Sequence, residues 1–247
     1  MDFLQQMVPH LEQLPQPFCA WMITLSLHHP FDEFPEGRKQ LRLGALDHTS
    51  FGNYLHTMRL FDTALAQFMD RLERDGLLER SVVVVFGDHD AGFPRTAELA
   101  ARIGVGADEG AWALADRVPL FIRVPGGTVP PGVRDVVAGQ TDLAPTLAGL
   151  LGIDAAGLPW AGRNLFGAPG DVPVPRPYGD WRDARHLFIS HGGPSGDGQC
   201  LDSHAGGAVA PDACAPAQAA ARAARDVSRL VVLDDLQTGL RTALAGR

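Results

Sequence analysis

Apolar residues recur every three or four positions between about His48 and Asp75, where they form one continuous stripe. Charged residues fall between these positions, and Gly76 follows the last of them as a candidate helix C-cap. The pattern therefore predicts a helix whose apolar face packs against the core. The stripe consists of Leu55, Met58, Phe61, Leu65, Phe68 and Leu72.

Three shorter apolar runs have the length and composition of buried strands, and they cover residues 18–27, 81–86 and 118–125. The second run contains four consecutive valines followed by a phenylalanine. An uninterrupted apolar run of this kind is typical of a strand covered on both faces, as in a parallel sheet.

Helical signals alternate with these strands. A short helix is expected around Thr96–Ile103, and a second one within residues 139–153. In the second helix Asp142 or Thr141 can cap the start, and Gly152 can end it. The alternation predicts an α/β fold with a mainly parallel sheet flanked by helices.

The C-terminal residues 167–247 are expected to form a small β-containing appendage. Two strand candidates, 186–190 and 229–235, bracket a cysteine-containing loop and an alanine-rich helical stretch at Pro216–Arg225. A disulfide between Cys200 and Cys214 could close that loop, and two unrelated surface thiols are the alternative.

The opening segment, 1–17, is polar and interrupted by prolines, so it is predicted to be a loop or a severed connection. Cys19 lies in the first apolar run and is expected to be a small buried hydrophobic residue. No cationic segment followed by an apolar one opens the chain, so no secretory signal is predicted. No apolar run reaches the roughly 18 residues that a membrane-spanning helix needs.

Charge excludes one class of partner. The 247 residues include 21 Lys and Arg against 29 Asp and Glu, for a formal net charge of -8. Nucleic-acid-binding proteins concentrate positive charge to displace the counterions of phosphate groups. Because the chain has no basic run, nucleic acid is not expected as a partner.

Candidate chemistry lies where two of the predicted strands end. The sequence Gly-Asp-His-Asp follows the valine strand and presents Asp88 and His89 as adjacent metal-ligand types. His28 and His29 follow the strand at 18–27, and the two loops could face one crevice. Three further residues, Asp142, His191 and His204, are weaker candidates that helix capping and surface exposure explain. No G-x-S-x-G elbow, P-loop or Rossmann glycine motif is present.

Four segments in this order resemble the lipoteichoic acid synthase-like sulfatases of the alkaline phosphatase superfamily. They are ITLSLHHPF, the long stretch from YLHTMRL to SVVVVFGDHDAG, RVPLFIRVPGG and GQTDLAPTLAGLLGI. The resemblance covers residues 18–166, which are therefore expected to be the C-terminal part of a sulfatase-like catalytic domain.

The resemblance implies roles for individual residues. Asp88 and His89 match metal ligands, with Mn²⁺ expected and Zn²⁺, Ca²⁺ or Mg²⁺ as alternatives. His28 matches the histidine that contacts the substrate phosphate, and Asp90 lies beside the ligands. The family's nucleophile, a metal-activated Thr, Ser or modified Cys, lies upstream of the His28 segment, so it is not expected in this chain.

The function implied by the resemblance is a metal-dependent phospho- or sulfo-ester hydrolase or transferase, most similar to a membrane-anchored phosphoglycerol transferase. The expected substrate is a phosphate or sulfate ester of a lipid or a glycan. The expected location is the extracytoplasmic face of the cell membrane, with membrane association through an N-terminal segment that this chain lacks. One alternative is a non-catalytic binding module, and another is a cytoplasmic metalloenzyme of the phosphoglycerate mutase branch.

Overall fold

The computed structural model describes residues 3–155, 158, 160–167, 170, 172–176, 178–192 and 196–245. The helices are α1 (Phe3–Gln13), α2 (Ser50–Arg74), α3 (Ala97–Ile103), α4 (Glu109–Ala115), α5 (Leu143–Leu150), α6 (Ala215–Leu233) and α7 (Gln237–Ala245). The strands are β1 (Val83–Phe86), β2 (Leu120–Arg123), β3 (Val174–Pro175), β4 (Trp181–Arg182), β5 (His186–Ser190) and β6 (Gly198–Asp202).

The chain divides into two compact units that are interleaved in sequence. The first unit comprises Met1–Phe93 and Val118–Pro130, and the second comprises Pro94–Arg117 and Pro131–Arg247. This division differs from the expected consecutive segments 18–166 and 167–247. The cause is local: helix α4 packs on the C-terminal sheet, where Ala113 joins a buried cluster with Leu187 and Leu201.

The core of the first unit lies between α1 and α2. Leu4, Val8 and Leu11 are buried against Phe68 and its neighbours on α2. The prediction that the opening segment is a loop was therefore wrong over Phe3–Gln13, which is helical although it contains Pro9. Burying each apolar side chain contributes about 1.5–3 kcal/mol, and three of them outweigh a proline cost of about 3 kcal/mol.

Strands β1 and β2 form a two-stranded antiparallel sheet. Val83 pairs with Arg123 and Phe86 with Leu120 at its two ends. The α/β class with a C-terminal β-containing part is confirmed, but the expected parallel pairing was wrong, because every strand pairing in the described part of the chain is antiparallel. A run of valines reports that a strand is apolar, and it does not encode the direction of the neighbouring strand.

Residues 18–27 do not form the buried strand that their composition predicts. The segment has no strand pairing in the described structure, and Trp21 and Leu25 are 69% and 78% exposed. Cys19 is likewise exposed rather than buried. Apolar composition makes a strand favourable only where a neighbouring strand completes its backbone hydrogen bonds. Trp21 meets the edge of Phe86 with the ring centroids 5.5 Å apart.

The second unit contains a four-stranded antiparallel sheet in the order β3-β4-β5-β6. Helix α6 packs on it through Ala221, which shares a buried cluster with Trp181 and Phe188. The strand predicted at 186–190 is confirmed as β5, and the alanine-rich helix is confirmed as part of α6. The strand predicted at 229–235 was wrong, because α6 continues through Leu233 and an apolar run of that length fits either structure.

Of the remaining helical predictions, α2, α3 and α5 are confirmed as helices, although the Asp142 side chain makes no capping hydrogen bond to α5. Thr49 accepts a hydrogen bond from the Gly52 N–H at the start of α2, and Thr96 accepts one from the Leu99 N–H at the start of α3. Within the described residues, no helix combines the length and the apolar composition needed to cross a membrane.

Cys200 and Cys214 are joined by a disulfide, with their Cα atoms 5.9 Å apart. Of the two alternatives that the sequence left open, the structure therefore shows the disulfide and not two unrelated thiols. Both are buried beside Trp181 in the core of the second unit.

Removing this disulfide is expected to destabilise the protein by about 3 kcal/mol, because the bond closes a loop of 14 residues and reduces the entropy of the unfolded chain. The measurement is urea unfolding of a double variant, Cys200→Ala with Cys214→Ala, followed by circular dichroism. Cys19→Ala is the control, and it should unfold as the parent does because Cys19 forms no disulfide. An unchanged midpoint in the double variant contradicts the prediction.

Candidate active site

The structure brings two of the predicted site histidines together. His28 and His89 have ring centroids 5.5 Å apart, with the rings at 89° to each other. His29 lies next to them, with its ring centroid 4.4 Å from that of His28. The loop after residues 18–27 and the turn after β1 therefore meet within the first unit.

The close approach of two chain segments fixes the glycine of the Gly-Asp-His-Asp turn. A Cβ at Gly87 would lie 2.8 Å from the Cβ of Val118, which is shorter than a normal van der Waals contact. The Gly87 N–H also donates to the carbonyl of Pro119 at 3.1 Å. A glycine at this position lets β1 end against the start of the neighbouring strand segment, which directs the next two residues outward.

The hydrogen bonds of the two histidines determine which ring nitrogen remains available. His89 Nδ1 lies 2.6 Å from the carbonyl oxygen of Asp90, and His28 Nδ1 lies 2.5 Å from the carbonyl oxygen of His29. A carbonyl oxygen only accepts, so each Nδ1 carries a proton, and in the neutral ring Nε2 keeps its lone pair. Metal-binding histidines commonly use this arrangement to hold the ring in place.

The two carboxylates of the turn have different surroundings. Asp88 has a side chain that is 75% exposed, and its Oδ1 accepts from the His89 N–H at 3.0 Å and lies 3.8 Å from His89 Nε2. The Asp90 Oδ1 instead accepts from the Gly92 N–H at 2.8 Å. Asp88 thus presents a carboxylate beside the imidazole, whereas Asp90 stabilises the turn.

An aromatic cluster holds both loops on the N-terminal half of α2. It contains Phe31, three residues after His28, and Phe93, four residues after His89, and their rings stack 5.5 Å apart. Tyr54 on α2 meets both of these rings edge-on, at 5.1 and 5.3 Å. Burial raises the pKa of the Tyr54 phenol. The cluster fixes the separation of the two histidine-bearing loops.

Polar side chains on α2, which the sequence analysis did not identify, anchor the same loop. The Asn53 side chain donates to the carbonyl of Phe31 at 2.9 Å, and both residues are buried. One turn further along, the buried His56 lies with its Nε2 2.8 Å from the Asp47 carboxylate. This hydrogen bond holds the pKa of Asp47 below its usual value. The available signal was the spacing of Asn53, His56 and Thr57, which places three polar residues on one helix face.

The donor set at the turn is suited to a divalent cation but is small. A carboxylate from Asp88 and an imidazole Nε2 from His89 are ligands that Mn²⁺ and Zn²⁺ accept. In the part of the chain that the structure describes, no group of three or more His, Cys, Asp or Glu side chains converges to hold a metal ion. The two side chains fit as part of a coordination shell, which other groups have to complete.

Asp142, the weaker candidate on the predicted capping position, has a structural role in the second unit. Its Oδ2 accepts from the Gly139 N–H at 3.0 Å, and its Oδ1 accepts from the Arg163 N–H at 2.8 Å. Thr146, one turn later, accepts from the Leu165 N–H at 2.9 Å. The Asp-x-x-Pro-Thr sequence therefore binds the backbone of the segment at 163–165. His191 and His204 are exposed, as the sequence analysis expected of surface histidines.

The family assignment follows from a match over more than half of the chain. Residues 1–153 match the family model described as Sulfatase. The chain belongs to the sulfatase family. The two loops with His28, Asp88 and His89 all lie inside the matched segment, as do α2 and its anchoring residues.

Curated relatives of this sulfatase chain include lipoteichoic acid synthases. Lipoteichoic acid synthase 1 of Bacillus subtilis is 35% identical over 191 residues, which are 76% of this chain and 29% of the relative. Lipoteichoic acid synthase of Staphylococcus saprophyticus is 31% identical over 193 residues, with the same coverage of each. The sulfatase chain spans less than a third of the length of these relatives.

Solved structures support the fold of the sulfatase chain. The lipoteichoic acid synthase LtaP from Listeria monocytogenes aligns with a TM-score of 0.67 and 23% identity, covering 85% of this chain and 52% of that one. A protein of the alkaline phosphatase superfamily from Vibrio parahaemolyticus aligns with a TM-score of 0.57 and 19% identity, covering 82% of this chain and 46% of that one. The matching family model and the curated relatives confirm the resemblance that was inferred above from four sequence segments.

Proposed function

We propose that this chain supplies the metal-binding turn and the substrate-phosphate contact of a phosphoglycerol transferase or a related phospho- or sulfo-ester hydrolase. The observation that carries the proposal is the meeting of His28 and His89, each with Nδ1 bound to a backbone carbonyl and Nε2 available. The lipoteichoic acid synthases among the relatives favour a phosphate ester of a lipid or glycan as the substrate class.

In this proposal His89 provides Nε2 and Asp88 provides a carboxylate oxygen to one divalent cation, for which Mn²⁺ is proposed. A bound cation of this kind stabilises negative charge on phosphoryl or sulfuryl oxygens and favours ionisation of a hydroxyl nucleophile. His28 lies across from His89 and, as an imidazolium with Nδ1 still bound to the His29 carbonyl, donates a hydrogen bond from Nε2 to an oxygen of the transferred group. The aromatic cluster keeps His28 at this distance from the turn.

The nucleophile is proposed to lie outside the segment 18–166 that carries the resemblance. Thr24 and Ser26 belong to the segment before His28 and do not match the nucleophile's motif. An extracytoplasmic location is proposed because the Cys200–Cys214 disulfide is of the kind that persists in oxidising compartments. Membrane association is proposed to depend on a segment other than the described helices.

The second candidate is a non-catalytic module that binds a phosphate or sulfate ester without turnover. The small donor set at the turn favours it, because Asp88 and His89 do not converge with a third ligand among the described residues. The two candidates make different predictions for metal binding, since only the enzyme needs a cation at the turn.

Replacing His89 or Asp88 by alanine is expected to weaken Mn²⁺ binding by about tenfold or more, since each removes one of two proposed ligands. Binding is measured by electron paramagnetic resonance of free Mn²⁺ in titrations of the whole chain. His204→Ala and Asp90→Asn are the matched controls, because His204 is an exposed histidine in the second unit and Asp90 bonds to its own turn.

Equal losses in His204→Ala and His89→Ala would place the cation elsewhere and contradict the assignment. An unmodified chain that binds no Mn²⁺ favours the non-catalytic module. In that case His28→Ala is expected to lower the affinity for a phosphate or sulfate ester, and Asp88→Ala is expected to leave it unchanged.

A further inference from the structure

A polar cavity lies in the second unit, between the sheet β3–β6 and helix α6. Its volume is about 480 Å³. Tyr178, Trp181 and Ser190 line the side formed by the sheet, and Arg222, Arg225 and Arg229 line the side formed by the helix. None of these residues takes part in the histidine-bearing site described above.

The three arginines share one face of α6. Their spacings of three and four positions place them above one another along the helix. Arg225 is held by the neighbouring Asp226, whose Oδ1 lies 2.8 Å from its Nη2. In the described structure, Arg222 and Arg229 form no ion pair or hydrogen bond. Two guanidinium groups therefore remain available to a ligand.

Glycines on the opposite wall make room for the guanidinium groups. A Cβ at Gly196 would overlap Nη2 of Arg222, and a Cβ at Gly179 would lie 3.0 Å from Nη1 of Arg225. Both glycines also have positive φ values, 70° and 104°, which side-chain-bearing residues rarely adopt. The wall thus approaches the heads of Arg222 and Arg225 closely, while Arg222 and Arg229 remain exposed to solvent and to a ligand.

The remaining polar groups of the cavity are oriented as donors. Ser190 Oγ accepts from the Gly192 N–H at 3.2 Å, which leaves its own O–H free to donate. The Trp181 indole N–H donates to Gln218 Oε1, so the Gln218 amide keeps its N–H₂ group for another partner. Asp180, the acidic residue on this wall, accepts from the Ser190 N–H at 2.8 Å. Asp226, the other carboxylate that lines the cavity, pairs with Arg225, so the donors outnumber the free acceptors.

We propose that this cavity binds a tetrahedral oxyanion, the phosphate or sulfate group of an ester, through Arg222 and Arg229 with help from Ser190 and Gln218. Guanidinium groups form two parallel hydrogen bonds to such anions, which suits them for this task. The chain has a formal net charge of -8, so a positively charged cavity is a local feature and does not follow from the overall composition.

The probes are inorganic phosphate and glycerol 3-phosphate, titrated into the whole chain by calorimetry in the presence of a chelator that removes divalent cations. The test variant combines Arg222→Gln with Arg229→Gln, and at least a tenfold loss of affinity for either probe is expected. The control combines Arg59→Gln with Arg102→Gln, which removes the same charge from exposed arginines that pair with Asp62 and Glu98. The control is expected to bind as the parent does.

Equal losses in the two double variants would mean that net charge alone governs binding and would overturn the proposal, as would a parent chain that binds neither probe. His28→Ala separates this site from the proposed active site. If His28→Ala abolishes binding while the double arginine variant retains it, the anion belongs to the histidine-bearing loops and the cavity does not bind it. Stronger binding of glycerol 3-phosphate than of phosphate identifies an ester, and equal binding identifies the free anion as the ligand.

Discussion

Replacing Trp181 by alanine is expected to lower the free energy of unfolding by about 3–5 kcal/mol, the usual loss for a large buried aromatic side chain. Trp181 is 1% exposed and stacks on Phe188 with the ring centroids 5.9 Å apart. Its indole N–H also donates to Gln218, which α6 contributes. The alanine variant removes the packing between β4, β5 and α6 in one step. Urea unfolding followed by circular dichroism measures the loss.

Trp21→Ala is the matched control, because it deletes the same side chain from a site that is 69% exposed. A loss below about 1 kcal/mol is expected there, as for exposed substitutions in general. If both variants lose the same amount, Trp21 is buried in solution, and the exposed position of residues 18–27 is wrong. The comparison therefore tests two features: the buried core of the second unit, and the exposure of residues 18–27, which the sequence predicts to be a buried strand.

The sequence predicts individual elements well where one physical signal dominates. The stripe from Leu55 to Leu72 predicts α2 because helix periodicity and burial coincide over its C-terminal half, where Phe68 and Leu72 are buried. In the N-terminal half the buried face is polar, with Asn53 and His56, and Met58 on the predicted stripe is exposed. Hydrophobic periodicity does not detect a face that is buried through hydrogen bonds.

Apolar runs without a period were harder to assign. The stretch at 229–235 has the composition of a strand, but its first five residues continue α6. The preceding alanines already form a helix, and adding a residue to an existing helix costs less free energy than starting a new element. The valine strand was assigned correctly as β1, whereas its antiparallel pairing with β2 depends on the path of the chain between Phe86 and Leu120. That path includes α3 and α4, which belong to the second unit.

The candidate site shows the same limit. The Gly-Asp-His-Asp turn and the His28 loop were identified from residue type and position, and the structure places His28 and His89 side by side. Of the residues that position them, Phe31 and Phe93 are ordinary apolar residues in the sequence, and Asn53 belongs to the polar face of α2. Their role depends on contacts between segments that are tens of residues apart, and a single sequence does not report such contacts.

Asp142 was a weaker site candidate that helix capping could explain, and the structure gives it a different structural role. It is 4% exposed, and both of its carboxylate oxygens accept backbone N–H groups, from Gly139 and Arg163. Gly162, just before Arg163, is packed so closely that a Cβ there would overlap the Thr141 carbonyl. The carboxylate thus binds two segments of the second unit that close packing already brings together.

Asp142→Ala is therefore expected to destabilise the protein by about 3 kcal/mol or more, since two hydrogen bonds to a charged group are lost and two buried donors are left without a partner. Asp142→Asn keeps one acceptor oxygen, so it is expected to lose about half as much. Thermal and urea unfolding give both values. The Mn²⁺ affinity of the folded Asp142→Ala protein is the decisive second measurement. An unchanged affinity assigns Asp142 to folding alone, and a loss that matches Asp88→Ala makes it a third ligand and contradicts the structural role argued here.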